Sequence, residues 1–193
     1  MNKERCLLVI SGPSGAGKDT VVKKMLEKHP EIEMSVSATT RAPREKEVNG
    51  VDYYFLPKEE FERRLAQGDV LEHVQYCDNY YGTLKSEIEQ RMEKGVTTVL
   101  IIEVYGAANI KKIYPESTLI FVMPPNEEEL ARRLRSRGTE SEEVIQQRLH
   151  RAKEELGRVG DYDFAVTNVD ADVCAQEVYE ILCCRQGRIE NEP

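Results

Sequence analysis

Between the apolar run Cys6–Ile10 and a helix-period segment starting at Lys18 stands Gly12-Pro13-Ser14-Gly15-Ala16-Gly17-Lys18. This is the G-x-x-x-x-G-K pattern of a phosphate-cradling loop, in the strand–loop–helix context that the pattern requires. The chemistry explains the residue types. Glycines let successive backbone N–H groups converge on phosphate oxygens, and the N-terminus of the following helix adds positive potential. Lys18 reaches the β- and γ-phosphates as a mobile point charge. The next two positions are Asp19 and Thr20, where such loops carry a Ser or Thr directly after the lysine. Asp19 has two readings. It is a hard-oxygen ligand for Mg²⁺, direct or through water, or it is a negative charge on the first helical turn, with Thr20 supplying any hydroxyl.

The elements that must position this loop alternate. Cys6–Ile10, Thr97–Val104 and Thr118–Met123 read as buried strands and Tyr162–Asn168 as a fourth strand, separated by helical segments. That order implies an α/β fold: a P-loop core with a parallel sheet flanked by helices and right-handed crossovers. Residues 36–83 break the alternation with a small mixed stretch rich in β-branched and aromatic residues. It contains Asn49-Gly50, a hairpin signal, and a short helix closed by Gly68. Asn126 and Glu129 form a candidate capping box ahead of an arginine-rich helix, and Thr139 or Ser141 starts the next one.

Composition bounds the function classes. The 193 residues suit one domain, and 40% hydrophobic with 32% charged residues is a globular balance. A formal net charge of −8 disfavours non-specific binding to nucleic acid or to an anionic membrane, so any positive charge for phosphate must be local. Five irregularly spaced cysteines point to a reducing compartment rather than a disulfide framework, and Cys183-Cys184 reads as packing. No zinc spacing, signal peptide or membrane-length apolar run is seen. The expectation is a soluble cytoplasmic protein with no obligatory protein partner.

Six segments, GPSGAGK, SVSATTRAPR, NGVDYYF, NYYGT, PPNEEELARRL and RGTESEEVIQQRL, occur in order and spacing similar to those of guanylate kinases. The chain resembles that family over about residues 6–182. The resemblance implies a single domain, with its core at about 1–35, 84–125 and 157–193. A GMP-binding insertion at about 36–83 and a helical lid at about 126–156 complete it. It also implies phosphoryl transfer from ATP to GMP, and to dGMP, with Mg²⁺, as a step of purine nucleotide metabolism.

Carried over position by position, the resemblance assigns the GMP phosphate to Arg41, Arg44, Tyr53 and Tyr81, and guanine to Ser37, Glu72 and Thr83. Fork-like guanidinium donors and phenolic hydroxyls suit a phosphate. A single carboxylate accepts both guanine donors, N1–H and N2–H₂, and a hydroxyl serves O6, whereas adenine mismatches each of these. Tyr54 and Tyr80 read instead as alternate-face strand residues. Arg132, Arg133, Arg135, Arg137 and Arg148 form a basic cluster that on residue type alone is a solvated, Glu-paired face. The resemblance makes Arg137 and Arg148 the phosphate clamps, with Arg133 a further candidate, and sets Asn168 near adenine.

Departures from the family pattern are Asp19, Ile101 and Tyr105 in the stretch "IIEVYGA", and Val169 after Asn168. Glu103 remains as a candidate Mg²⁺ group, direct or through water. Two rivals stand beside the kinase reading. One is a kinase of the same fold acting on ribose bisphosphate, which needs no guanine reader; the other is a non-catalytic guanylate kinase-like binding domain.

Overall fold

The computed structural model describes residues 6–136 and 141–187, so Arg137 lies outside the described residues. The chain runs β1 (Leu7–Ser11), α1 (Lys18–Lys28), β2 (Ile32–Met34), β3 (Ala38–Thr39), β4 (Tyr54–Phe55), α2 (Lys58–Ala66), β5 (Val70–Tyr76) and β6 (Asn79–Leu84). It continues through α3 (Lys85–Glu93), β7 (Thr97–Ile101), α4 (Val104–Ile113), β8 (Thr118–Met123), α5 (Glu127–Ser136), α6 (Glu142–Leu156), β9 (Phe164–Thr167) and α7 (Ala171–Arg185).

Five strands in the order β2-β7-β1-β8-β9 make the core sheet, and every pairing in it is parallel. β1 is central and wholly buried because helices cover both of its faces, so its sequence reads as an unbroken apolar run. Leu8 and Ile10 pack with Val21, Met25 and Val178 of α1 and α7 on one face. Leu7 and Val9 pack with Ile88, Ala107 and Ile110 of α3 and α4 on the other. Each large apolar side chain so buried contributes about 1.5–3 kcal/mol. The sheet thereby presents the carboxyl ends of β1 and β7 as a rigid edge, where ligands of open α/β sheets bind.

A second sheet, β4-β3-β6-β5, carries its own small core of Ala38, Phe61, Val70 and Leu84. Tyr80 stacks on Phe61 with ring centroids 5.2 Å apart, a packing role that matches its strand reading.

Three local expectations change. β2 is a fifth core strand, pairing Ile32–Met34 with Thr97–Val99. Three residues carry too little periodicity to announce a strand, and Glu33 within it is exposed. Asn49-Gly50 does not join an antiparallel hairpin, because β3 and β4 pair in parallel. The pair makes a local turn instead: Gly50 has φ +80, and the Asn49 side chain accepts the Phe55 N–H at 2.9 Å. The true hairpin joins β5 to β6 through Cys77 and Asp78, both at positive φ without a glycine. Finally, only half of the capping box forms. Asn126 accepts the Glu129 N–H at 2.7 Å, while the Glu129 carboxylate turns to Arg132 and Arg133.

Candidate active site

The loop after β1 is shaped by close backbone approach. At Gly12, φ is +142, and a Cβ would sit 2.1 Å from the Val122 carbonyl of β8, so no side chain is accommodated. Gly17 caps α1 in the left-handed region, with the Asn168 amide 2.4 Å from where a Cβ would be. That buried amide donates to the Ala16 carbonyl at 2.7 Å, so Asn168 braces the loop from the end of β9. Lys18 arches back over the loop, donating to the carbonyls of Gly12 at 2.6 Å and Pro13 at 3.1 Å. Its ammonium therefore sits above the loop's mouth, held by neutral acceptors that a phosphate outcompetes.

Helices α5 and α6 supply arginines to the same place. Arg148 donates to the Ser14 hydroxyl at 2.5 Å, across the phosphate loop. Arg133 donates to the carbonyls of Ala16 at 3.2 Å and Asn168 at 2.9 Å, and is oriented by Glu129. Arg132 and Arg135 have the solvated role: they pair on the surface with Glu129 and Glu142. Arg151 donates to Glu103 at 2.7 Å and to Glu155 at 2.8 Å, bridging α6 to the end of β7. Glu155 is buried, which pushes its carboxyl up, and Arg151 partly offsets this.

The second sheet faces this loop across a cleft of about 290 Å³. Ser14, Gly15, Gly17, Lys18 and Asp19 line one side; Ser37, Tyr53, Glu72 and Tyr81 line the other; Ile101 and Glu103 form the end between them. A β-bulge builds the Glu72 position. Val70 pairs with Leu84 and Glu72 with Thr83, so Leu71 is an extra residue that turns toward the core. Glu72 is thus brought against Thr83, whose hydroxyl donates to one carboxylate oxygen at 2.7 Å. Burial pushes the Glu72 carboxyl above its ordinary value; the Thr83 hydroxyl opposes that, and nearby Glu103 reinforces it.

Tyr53 and Tyr81 meet edge to face in the cleft, with centroids 6.1 Å apart. Arg41 lies over the Tyr53 ring and grips Glu47 with two parallel bonds of 2.9 and 2.8 Å. Glu47 also accepts the Arg44 N–H at 2.7 Å, so this carboxylate sits where a tetrahedral anion would meet the same donors. The Arg44 residue itself is exposed. Asp19 and Thr20 are exposed on the first turn of α1, and of the two only Asp19 lines the cleft.

Compared with known proteins, residues 4–184 match the family model described as guanylate kinase. The chain belongs to the guanylate kinase family. A guanylate kinase of Clostridioides difficile (strain 630) is 46% identical over 187 residues, covering 97% of this chain and 91% of that one. One from Desulfitobacterium hafniense (strain Y51) is 43% identical over 187 residues, covering 97% and 94%. The crystal structure of guanylate kinase from Anaplasma phagocytophilum superposes with a TM-score of 0.74 at 35% identity, over 95% of this chain and 87% of that one.

Within this guanylate kinase fold the departures take distinct places. Ile101 lines the cleft, Tyr105 is exposed under the Arg158 guanidinium at 5.7 Å, and Val169 is exposed. The bridging pair Arg151 and Glu155, and Glu47 opposite Arg41, carry no motif of their own. Glu103 lies far from Arg151 and Glu47 stands in an irregular loop, so the one sequence signal for Arg151 is its i,i+4 spacing from Glu155.

Proposed function

We propose that the cleft transfers the γ-phosphoryl group of ATP to GMP, and to dGMP, with the phosphate loop holding ATP and the second sheet holding the acceptor. The observation that carries this reading is one continuous cleft lined by Lys18 and Asp19 on one side and by Ser37, Tyr53, Glu72 and Tyr81 on the other. A sugar phosphate acceptor gives no reason for a buried carboxylate beside a buried hydroxyl, whereas a guanine edge does. Free cysteines and the absence, among the described residues, of a helix able to cross a membrane accord with a cytoplasmic site.

In this reading the Glu72 carboxylate accepts the guanine N1–H and N2–H₂, and the Ser37 and Thr83 hydroxyls serve the remaining polar edge. Arg41 and Arg44 exchange Glu47 for the GMP phosphate, and Tyr53 and Tyr81 add phenolic donors. Lys18 leaves its carbonyl partners for the β- and γ-phosphates. Arg148 and Arg133 reach the loop from the α5–α6 hairpin, which with Arg137 closes as a lid and excludes water. The acceptor oxygen is already anionic, so no general base is required, and catalysis is positioning plus charge neutralisation.

The residues present fit Mg²⁺. No cluster of three or more ligating side chains occurs among the described residues, but Mg²⁺ keeps several waters and shares phosphate oxygens, so it needs only one or two carboxylates. Asp19 and Glu103 both line the cleft and would hold it, Glu103 after release from Arg151. When bound, Mg²⁺ would supply charge neutralisation on the phosphate groups being transferred.

An ADP-release assay across GMP, dGMP, AMP, UMP, CMP and ribose 1,5-bisphosphate tests the reading. GMP and dGMP support turnover, and Lys18→Ala reduces it about 10²–10³-fold. Comparable rates with AMP or the sugar bisphosphate, or a near-normal rate in Lys18→Ala, contradict it.

A further inference from the structure

The chain crosses between its two sheets twice, at residues 35–37 and at 84–87, and one buried carboxylate joins the crossings. Ser35 still belongs to the core, donating its N–H to the Val99 carbonyl of β7 at 2.9 Å. One residue on, the Val36 N–H donates to Glu87 Oε1 at 3.0 Å. The Tyr54 hydroxyl donates to the other oxygen, Oε2, at 2.7 Å. Glu87 stands on the first turn of α3, directly after β6, and is 5% exposed. Arg91, one helical turn later, donates to Glu87 at 2.5 Å and also pairs with Glu33 of β2.

The two donors from outside α3, Val36 and Tyr54, are the chain neighbours of Ser37 and Tyr53, both of which line the cleft. They are also tied to each other, since the Tyr54 N–H donates to the Ser37 carbonyl at 2.9 Å. Side chains of adjacent residues in an extended segment point to opposite faces. Anchoring the Val36 backbone N–H and the Tyr54 hydroxyl therefore constrains the backbone from which Ser37 and Tyr53 project into the cleft. Burial by itself disfavours the Glu87 carboxylate, yet its three donors hold it below the ordinary carboxylate value.

We propose that Glu87 is a positioning residue for the acceptor site, a pin between core and second sheet that sets Ser37 and Tyr53 at the distance GMP requires. The inference rests on the reading that those two residues contact GMP. It predicts a selective defect in acceptor use, because none of these bonds touches the phosphate loop.

Steady-state kinetics with each substrate varied, together with thermal unfolding, test it. Tyr54→Phe, which removes one hydroxyl and leaves the ring packed, raises KM for GMP about fivefold while KM for ATP stays within about twofold. Glu87→Ala raises KM for GMP further. Glu87→Gln lies between them, because its amide oxygen still accepts the Val36 N–H. A purely structural role instead lowers thermal stability and the active fraction while leaving both KM values alone.

Ser37→Ala and Tyr53→Phe serve as the reference. If these raise KM for GMP while Tyr54→Phe and Glu87→Gln keep the wild-type value, the positioning role is overturned and the site reading stands. If the reference variants also leave KM for GMP unchanged, the site reading fails and the inference falls with it.

Discussion

Two buried carboxylates of this molecule shift in opposite directions. Glu87, at the junction of the two sheets, receives a backbone N–H, a phenolic hydroxyl and a guanidinium. Its carboxyl lies below the ordinary value despite burial. Glu72, at the cleft, is supported by Thr83 alone, through its hydroxyl and its backbone, and burial still carries its carboxyl upward. The first is a completed structural joint. The second is a charge removed from water without its full set of donors, which costs stability until a ligand supplies them. On the proposed function, the comparison separates what the fold needs from what it holds ready for a substrate.

Replacing Glu72 with Ala is expected to have the largest effect. A site that pairs a substrate's N–H groups rejects a mismatch strongly, so kcat/KM for GMP falls about 10²–10⁴-fold while ATP affinity is retained. Calorimetric titration of each nucleotide checks this. Equal loss of both affinities contradicts the assignment of Glu72 to the acceptor.

Thr83→Val comes next. It strips Glu72 of its remaining side-chain donor, raising the carboxyl further and increasing KM for GMP about tenfold, measured by the same kinetics. The smallest effect is on stability. Glu87→Gln lowers it by about 1–3 kcal/mol at neutral pH, read by denaturant unfolding. Because the folded-state value of Glu87 lies below its unfolded value near 4.5, its contribution is complete above that pH and is lost as pH falls through the folded value. Wild type and Glu87→Gln therefore converge in acid. A gap that stays constant with pH would contradict the charged joint.

How much of this was legible in the sequence depends on where the physical cause lies. The glycine-rich loop after β1 was readable because Gly12 and Gly17 are demanded by local backbone geometry, which leaves its mark within a few residues. β1, β7 and β8 were readable because both faces of the sheet are covered. Glu87 was not, since its two donors from outside α3 lie 51 and 33 residues away. Arg151 was hidden for the same reason, its partner Glu103 lying 48 residues off. Asn49-Gly50 misled because the dipeptide serves any tight turn with positive φ, and the real hairpin at Cys77-Asp78 adopts that conformation without glycine. Glu72 was singled out only by the company of neighbouring motifs; the bulge at Leu71 that aims it left no mark of its own.

The most direct test of the contrast is a thermal melt of Glu72→Gln at neutral pH, with and without GMP. A folded-state carboxyl raised by burial destabilises the charged protein once pH exceeds the unfolded value near 4.5, so the neutral amide should unfold at a higher temperature than wild type. Wild type in GMP at a hundred times Kd should gain about 2.7 kcal/mol, or roughly 5–10 °C, and Glu72→Gln should lose most of that gain. A variant that melts below wild type without ligand, or keeps the full GMP-induced shift, would contradict the account of Glu72 as a carboxylate held ready for guanine.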